Sequence, residues 1–518
     1  MHQSTPDVHF HLLVRCFMTA HKAGNGRSMT DYLGRLKNLD TYIQSEMQKW
    51  HVPGAAVAVI HGDTIIHQKG YGTRDIEKDD RVTPETLFAI GSCTKAFTTM
   101  ALAQLVDDGK LDWDTPIRRY MPSFKLHDSV ASDQMTARDL VSHRSGLPRH
   151  DMMWYGSSRS RWELFERLQY LVPSQPFRYV FQYQNLMYMV AGCLIESVTG
   201  QTWESFVQQR IFDPLGMKES VFSVITAEQS DNAAKPHEIE DEAAKRIPFR
   251  NIDAIGPAGS IHSNLPEIAT WLMMHMNGGQ HNGQQFVSPE NLKQMHQPWV
   301  VIPPVPQFDF VEIQHNAYGL GWAQHIYRGR MRIRHTGGID GFITDVSFMP
   351  NENLGVIVYN NGGDSLSMSI AMHVYDCLLD QEPIDWRGRY KQVHDQAKAQ
   401  VEEQTQKLKE SQHPDTSLSH PLEAYTGTYE HPGYGLLSIT RGDGKLRAEY
   451  NNLKFEMEHL HFDIFETKHE LGETTPPMPI AFTTGVDGAI TQLTMQFEPA
   501  VDAIAFTRVQ AQPEQAAE

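Results

Sequence analysis

Strand-like segments stand at two places in this chain, and a long, mostly helical stretch separates them. Two lie early, Ala55–Ile60 and Thr64–His67, and the Gly62-Asp63 pair between them is typical of a hairpin turn. The late ones are Arg330–Arg334, Ile343–Phe348 and Leu354–Tyr359. Early and late strands can form one antiparallel sheet, with the terminal helices on one face and a helical insertion between them. The sequence therefore predicts an α+β fold for residues 31–390.

The residues Ser92-Cys93-Thr94-Lys95 open a segment with helical periodicity. Three positions along a helix are close to one turn, so the amine of Lys95 can reach the hydroxyl of Ser92. A deprotonated amine can activate a serine, and the positive end of the helix dipole favours a neutral amine and an oxyanion. An N-cap serine beside a solvent-facing lysine is the ordinary alternative, so the motif indicates acyl transfer only together with partners.

A second element expected of a Ser-Lys enzyme is Tyr-x-Asn, which supplies a phenol near the serine and an amide that holds the substrate. The triplet begins at Tyr183, Tyr359 and Tyr450. Tyr359 ends a predicted strand and Tyr450 lies in the C-terminal β region, whereas Tyr183 precedes an apolar helix predicted over Leu186–Val198. This context favours Tyr183-Gln184-Asn185, with a buried tyrosine whose hydroxyl is satisfied as the alternative.

A third element is His335-Thr336-Gly337-Gly338, which follows the strand predicted to end at Arg334. Consecutive glycines let the backbone approach another group closely, and an exposed N–H there can serve as an oxyanion donor. His335 can act at this place as a proton shuttle or a polar anchor. A Gly-Gly turn with an incidental histidine is the alternative interpretation.

Five motifs occur in a fixed order along the chain. They are Gly91–Phe97, Thr136–Pro148, Tyr183–Asn185, Gly256–Ser260 and His335–Gly338. In this order they resemble the β-lactamase-related serine hydrolases: penicillin-binding proteins, class C β-lactamases, D-aminopeptidases, LACTB-like peptidases and the esterases grouped with them. The resemblance covers residues 30–385 and implies a β-lactamase/transpeptidase-like fold.

The resemblance also implies roles for the matching residues. Ser92 would be the acylated nucleophile, and Lys95 and Tyr183 would share the general-base and general-acid work. Asn185 would orient the substrate amide. The N–H groups of Ser92 and Gly338 would form the oxyanion hole.

The glycine-rich motif would complete the substrate site, with Thr336 and Gly337 binding substrate beside Gly338. His335 stands where true penicillin-binding proteins and β-lactamases have a lysine. This substitution removes a permanent cation that recognises a carboxylate, and it resembles the peptidase and esterase branch of the family.

The C-terminal part has a different texture. Residues 391–420 are charged, rich in glutamine and poor in aromatic residues, which predicts a partly helical linker. Short alternating runs over 421–510 predict seven or eight strands in a small closed barrel or sandwich. Residues 421–508 resemble the lipocalin-like tail of a subset of these enzymes, which implies restricted access to the active site or homo-oligomer assembly. An independent small-ligand barrel is the alternative.

Composition excludes several other classes. A net charge of −18 argues against a nucleic-acid partner. No apolar run approaches the ~20 residues that span a bilayer, so no membrane partner is expected. Cysteines and histidines lack zinc spacing, so neither a metal nor another cofactor is expected. Residues 1–30 are predicted to be a disordered or mis-started leader without an export signal, which favours the cytoplasm over the periplasm.

The leading interpretation is a serine acyl-hydrolase that forms an acyl-enzyme on Ser92 and cleaves short peptides, those with D-residues among them. A broad-specificity carboxylesterase or a weak β-lactamase on the same residues is the alternative. A catalytically slow acyl-binding or scaffold protein is the alternative of another class. Ser365 lies in Gly363-Asp364-Ser365-Leu366, which spells the motif of a different esterase class, but it precedes a closing helix predicted over Leu366–Leu379 and is interpreted as a loop.

Overall fold

The computed structural model describes residues 29–363, 365–468 and 475–510. Apart from Met29 and Thr30, the leader predicted over residues 1–30 lies outside the described residues. Within the described ranges, no helix has both the length and the apolar character needed to cross a membrane. The α-helices are Met29–Arg35, Leu39–Trp50, Thr94–Asp107, Ser129–Gln134, Ala137–Val141, Arg161–Arg167, Leu186–Thr199, Trp203–Val207, Asp213–Leu215, Val224–Ala227, Gly256–Gly259, Leu265–Met276, Pro289–His296, Leu366–Leu379, Trp386–Glu410 and Leu422–Tyr425.

A nine-stranded antiparallel sheet forms the centre of the N-terminal part. In spatial order its strands are Val300–Val301, Ile313–Tyr318, Ala323–Tyr327, Arg330–Ile339, Phe342–Met349, Leu354–Asn360, Gly54–His61, Thr64–Asp75 and Asp80–Arg81. The early hairpin and the late strands therefore share one sheet, and the register pairs Ala55 with Asn360 and His61 with Leu354. The predicted α+β class and the β-lactamase/transpeptidase-like layout are confirmed.

The strand Gly54–His61 is buried on both faces of the sheet. Because successive side chains of a strand point to opposite faces, its residues alternate between two hydrophobic cores. Odd-numbered positions from 55 to 59 pack with the helices Leu39–Trp50 and Leu366–Leu379. Even-numbered positions from 56 to 60 belong to the larger core, which contains the helix Thr94–Asp107. One strand thus ties the terminal helices to the helix that follows Ser92.

The strand that begins at Arg330 is longer than the sequence predicts, since it continues through the glycine-rich motif to Ile339. Its pairing with Phe342–Met349 carries it onward, with Gly337 opposite Thr344. Its other neighbour, Ala323–Tyr327, pairs with it only as far as Arg334. The expectation that the strand ends at Arg334 is therefore wrong, and the motif lies on extended backbone rather than in a turn.

The C-terminal part contains a closed barrel of eight antiparallel strands. They are Gly427–His431, Gly435–Gly442, Lys445–Tyr450, Leu453–His461, Ile464–Lys468, Ile480–Thr484, Ile490–Met495 and Ile504–Arg508. Buried aromatic rings of the barrel contact one another, among them Tyr429 with Phe482 and Tyr450 with Phe497. The helix Trp386–Glu410 runs into the segment predicted as a linker. The predicted closed barrel is confirmed, while the domain boundaries and the lipocalin-like assignment stay predictions.

Candidate active site

Ser92 and Lys95 lie where a short 3₁₀ turn, Gly91–Cys93, leads into the helix Thr94–Asp107. This helix is buried along most of its length, and Lys95 itself is fully buried. Its amine lies 3.0 Å from the hydroxyl oxygen of Ser92. The predicted contact across one helical turn is therefore present.

Among the described residues, the Lys95 amine has three hydrogen-bond partners, and two of them are carbonyl oxygens. Nζ lies 2.8 Å from Oδ1 of Asn185 and 2.8 Å from the backbone oxygen of Ala258. A carbonyl oxygen can only accept, so a neutral amine gives one N–H to each of them. Its lone pair is then left facing the Ser92 hydroxyl. The arrangement directs the lone pair of a neutral lysine at that serine.

The surroundings favour this neutral form. Burial lowers the pKa of the Lys95 amine well below its ordinary value, and the nearby charge of Arg149 lowers it further. Burial also raises the pKa of the Tyr183 hydroxyl above its ordinary value, while a hydrogen bond to Ser92 opposes that shift. The phenol therefore stays neutral beside Ser92, and its ring centroid lies 4.8 Å from the Lys95 nitrogen.

The loop that carries Tyr183 is held from both sides. The backbone N–H of Gln184 donates to Nδ1 of His143 over 3.0 Å. The side-chain amide of Gln184 donates to the carbonyl of Pro148. His143 is fully buried, and its ring lies 4.3 Å from the Tyr183 ring. The segment Thr136–Pro148, which the sequence marks without assigning a role, thus positions Tyr183.

Asn185 is bound by protein groups at both ends of its amide. Oδ1 accepts from Lys95, and Nδ2 donates over 3.1 Å to Oδ1 of Asp151. The same Asp151 oxygen accepts from the indole of Trp154 over 2.8 Å. Asp151 therefore fixes the orientation of the Asn185 amide, and no sequence motif predicted this contact.

His335 is buried on the long strand, and both of its ring nitrogens are engaged. Nδ1 lies 2.7 Å from the carbonyl oxygen of Thr336, so it carries the proton and donates. Nε2 then accepts from the hydroxyl of Tyr318 over 2.9 Å. Burial lowers the pKa of His335 to about 3. This histidine is a neutral group fixed by its neighbours.

The glycine-rich strand touches the turn that carries Ser92. A Cβ added to Gly337 would lie 1.9 Å from the carbonyl oxygen of Ile90, and one added to Gly91 would lie 2.7 Å from the nitrogen of Gly338. Gly91 also has a φ of 49°, which favours glycine. The close approach brings the backbone of Gly338 to the turn that contains Ser92.

Arg149 and Asp151 flank the site on a segment that follows Pro148. Nε of Arg149 donates to Oδ2 of Asp151 over 2.5 Å, and its guanidinium carbon lies 5.2 Å from the Tyr183 ring centroid. His150, which lies between them in the sequence, is fully buried. Its φ is 48°, an uncommon conformation for a residue other than glycine.

The barrel binds this segment directly. The backbone N–H of His150 donates to Glu498 over 2.8 Å. Nε2 of His150 lies 3.0 Å from the carbonyl of Val172 and must donate to it, so Nδ1 accepts from the Tyr434 hydroxyl over 2.7 Å. The Tyr450 hydroxyl donates to the carbonyl of Met152 over 2.9 Å. Barrel side chains thus hold the backbone that presents Asp151 and Arg149.

The structure brings the predicted site residues together. Lys95 contacts Ser92, Asn185 and the ring of Tyr183, and the strand that carries His335, Thr336, Gly337 and Gly338 packs against the turn that contains Ser92. Of the other Tyr-x-Asn triplets, Tyr359 is buried within the central sheet and Tyr450 belongs to the barrel, as their contexts indicated. Arg149 and Asp151 were not predicted from the sequence. The sequence feature that points to them is their position just after Pro148, the end of the motif Thr136–Pro148.

Two family models match the chain. One described as Beta-lactamase covers residues 39–375, and one described as a domain of unknown function (DUF3471) covers residues 411–508. A curated relative, the Unguisins hydrolase ungD' of Aspergillus campestris (strain IBT 28561), is 30% identical over 417 residues. The match spans 77% of this chain and 76% of that protein.

Solved structures with the same fold include two of low sequence identity. The octameric penicillin-binding protein homologue from Pyrococcus abyssi has a TM-score of 0.58 at 21% identity, over 91% of this chain and 100% of its own. The D-amino acid amidase from Ochrobactrum anthropi SV3, solved with L-phenylalanine amide, has a TM-score of 0.52 at 23% identity, over 66% of this chain and 98% of its own. At these identities the likeness concerns the fold.

The pH dependence of the reaction of Ser92 tests the protonation state of Lys95. We expect the rate of labelling by a fluorophosphonate to rise with pH through the pKa of Lys95, because only the neutral amine can accept the serine proton. Since burial lowers that pKa, the rise should be complete well below pH 10.5. Lys95→Arg, which stays protonated, should lower the rate about 10²–10⁴-fold. A rate that still climbs at pH 10.5 would contradict this arrangement.

Tyr434→Phe tests whether the barrel supports the site. The change keeps the ring and removes the hydroxyl that donates to His150, so the labelling rate should fall roughly 3- to 10-fold. The matched control is Tyr429→Phe, which removes a hydroxyl bonded within the barrel to the carbonyl of Tyr425. Equal rates in both variants, whether reduced or unchanged, would show that the contact with His150 has no particular effect.

Proposed function

The chain belongs to the beta-lactamase family and is a serine hydrolase, and we propose that it works through an acyl-enzyme formed on Ser92. The family resemblance expected from the five motifs is confirmed by the family model that matches residues 39–375. One observation carries the proposal. The two carbonyl oxygens on the Lys95 amine leave its lone pair for the Ser92 hydroxyl.

In the proposed reaction, the neutral amine of Lys95 takes the proton of the Ser92 hydroxyl while the oxygen attacks the substrate carbonyl. The oxyanion that forms is bound by the N–H groups of Ser92 and Gly338. The bond to the leaving group then breaks, and Tyr183 passes the proton from Lys95 to the departing nitrogen or oxygen. Water attacks the ester on Ser92 with Lys95 again as base, which releases the carboxylic acid and restores the serine.

Asn185 and His335 have positioning roles in this proposal. Asn185 holds one N–H of Lys95 in place and is itself fixed by Asp151. Both ring nitrogens of His335 are hydrogen-bonded, one to the Tyr318 hydroxyl and the other to the Thr336 carbonyl. We therefore assign His335 to holding the strand at Thr336 rather than to carrying a proton. Thr336, Gly337 and Gly338 would line the bound substrate.

We propose an amide bond in a short peptide as the substrate. The segment His335–Ile339 extends beyond its neighbour Ala323–Tyr327, which pairs only as far as Arg334. Extended backbone that lacks a neighbouring strand among the described residues can accept the backbone of a peptide through hydrogen bonds. Peptides with D-residues belong among the substrates to be tried. Self-association like that named for the Pyrococcus abyssi protein stays a prediction for this chain.

A fluorophosphonate probe tests the nucleophile. Wild-type protein should be labelled and Ser92→Ala should not, because the phosphorus bonds to the activated serine oxygen. Ser365→Ala is the matched control and should be labelled like wild type, since Ser365 lies at the start of the helix Leu366–Leu379. Labelling that survives in Ser92→Ala, or wild-type protein that is never labelled, would refute the proposed nucleophile.

Turnover of short peptides in both D and L series, compared with p-nitrophenyl esters, tests the substrate class. We expect cleavage of at least one peptide series that is lost in Ser92→Ala. Ester turnover without detectable peptide cleavage would reject the peptide proposal while leaving the serine hydrolase intact.

A further inference from the structure

We infer that Arg149 binds a carboxylate of the substrate, so that the enzyme prefers peptides with a negative charge within one or two residues of the bond it cleaves. The inference rests on the proposed Ser92 acyl-enzyme and adds a specificity-determining residue to it. Arg149 gives the site a permanent cation, which neither the neutral His335 nor the neutral Lys95 supplies.

The position of Arg149 determines how far from the scissile bond a substrate carboxylate would bind. Its guanidinium carbon lies 5.2 Å from the ring centroid of Tyr183, and the Lys95 nitrogen lies 4.8 Å from the same point. The Arg149 guanidinium carbon and the Lys95 nitrogen therefore lie no more than about 10 Å apart, and one extended residue spans ~3.5 Å. A carboxylate on Arg149 would lie one or two residues from the carbonyl attacked by Ser92.

The guanidinium has a free edge for such a ligand. Only Nε is used within the protein, for the bond to Asp151, and no hydrogen bond from the described residues reaches either terminal nitrogen. About half of the side chain surface, 52%, is exposed. Two parallel N–H groups on one edge match the two oxygens of a carboxylate.

Asp151 orients Arg149 without closing that edge. Its carboxylate is shared among three donors, namely Arg149, the amide of Asn185 and the indole of Trp154. The backbone beside it is held by the bonds from His150 to Tyr434 and Glu498. The guanidinium is thus fixed at its Nε end, and ordering it costs little when a carboxylate binds.

The charges at the site also favour Arg149 as the group that binds a substrate carboxylate. The lone pair of Lys95 faces Ser92, and His335 is a neutral acceptor toward Tyr318. Arg149 is protonated at every accessible pH, so it supplies permanent positive charge beside the reacting atoms. A substrate with an anionic group would be drawn to it, while a neutral analogue would gain nothing.

The test uses two peptides that differ only in the group one residue beyond the scissile bond, a free carboxylate in one and a carboxamide in the other. Wild-type kcat/KM should favour the carboxylate by roughly 10- to 100-fold, which is the effect of a charge-assisted hydrogen-bonded pair. Arg149→Gln should bring the ratio close to one, and Arg149→Lys should keep part of it. The matched control is Arg118→Ala, which removes an exposed arginine paired with Asp133 and should leave the ratio unchanged.

A ratio near one in wild type would overturn the inference. So would an Arg149→Gln variant that loses the same factor on both peptides, because Arg149 would then act on Lys95 rather than on the substrate. Fluorophosphonate labelling separates these outcomes from failure of the proposed function. Labelling of Ser92 without a carboxylate preference rejects the role of Arg149 alone, and absence of labelling in wild type rejects both proposals.

Discussion

The site is organised by the placement of one lysine amine inside the protein core. Lys95 is fully buried on a helix packed on nearly every side, and a charged amine there would be strongly disfavoured. Its two carbonyl acceptors, from Asn185 and Ala258, take the N–H groups of the neutral form. The remaining direction is that of Ser92. In the proposed mechanism, the requirement that buried polar groups find partners leaves the lone pair of Lys95 to activate Ser92.

The sheet joins distant parts of the chain so that this lysine acts in a complete site. Within the central sheet, the strand Gly54–His61 pairs with Leu354–Asn360. The glycine-rich strand, Arg330–Ile339, lies two strands beyond Leu354–Asn360 in the same sheet. Close packing of Gly337 on Ile90 then brings the backbone nitrogen of Gly338 against Gly91, the residue before Ser92. The barrel adds a third part, because Tyr434 and Glu498 hold His150 and with it the segment that presents Asp151. We therefore regard the C-terminal barrel as support for the site.

The sequence predicted the fold class and the grouping of its chemical residues because both depend on local patterns. Strand-like runs, a serine and lysine one turn apart, and Tyr183 just before a helix are visible without tertiary information. The end of the strand at Arg334 was predicted wrongly, since two glycines disfavour a strand locally but pairing with Phe342–Met349 extends it. Arg149 and Asp151 were missed because their place at the site depends on contacts with Tyr183 and Asn185 that no periodicity encodes.

The most direct measurement of the central claim is the pKa of Lys95 itself. The ε-carbon shift of labelled lysine can be followed by NMR during a pH titration, and the Lys95 signal is identified by its absence in Lys95→Arg. We predict a midpoint well below 10.5, with the amine neutral at the pH where Ser92 reacts fastest. A midpoint at or above 10.5 would contradict it, because a protonated lysine has no lone pair to offer Ser92.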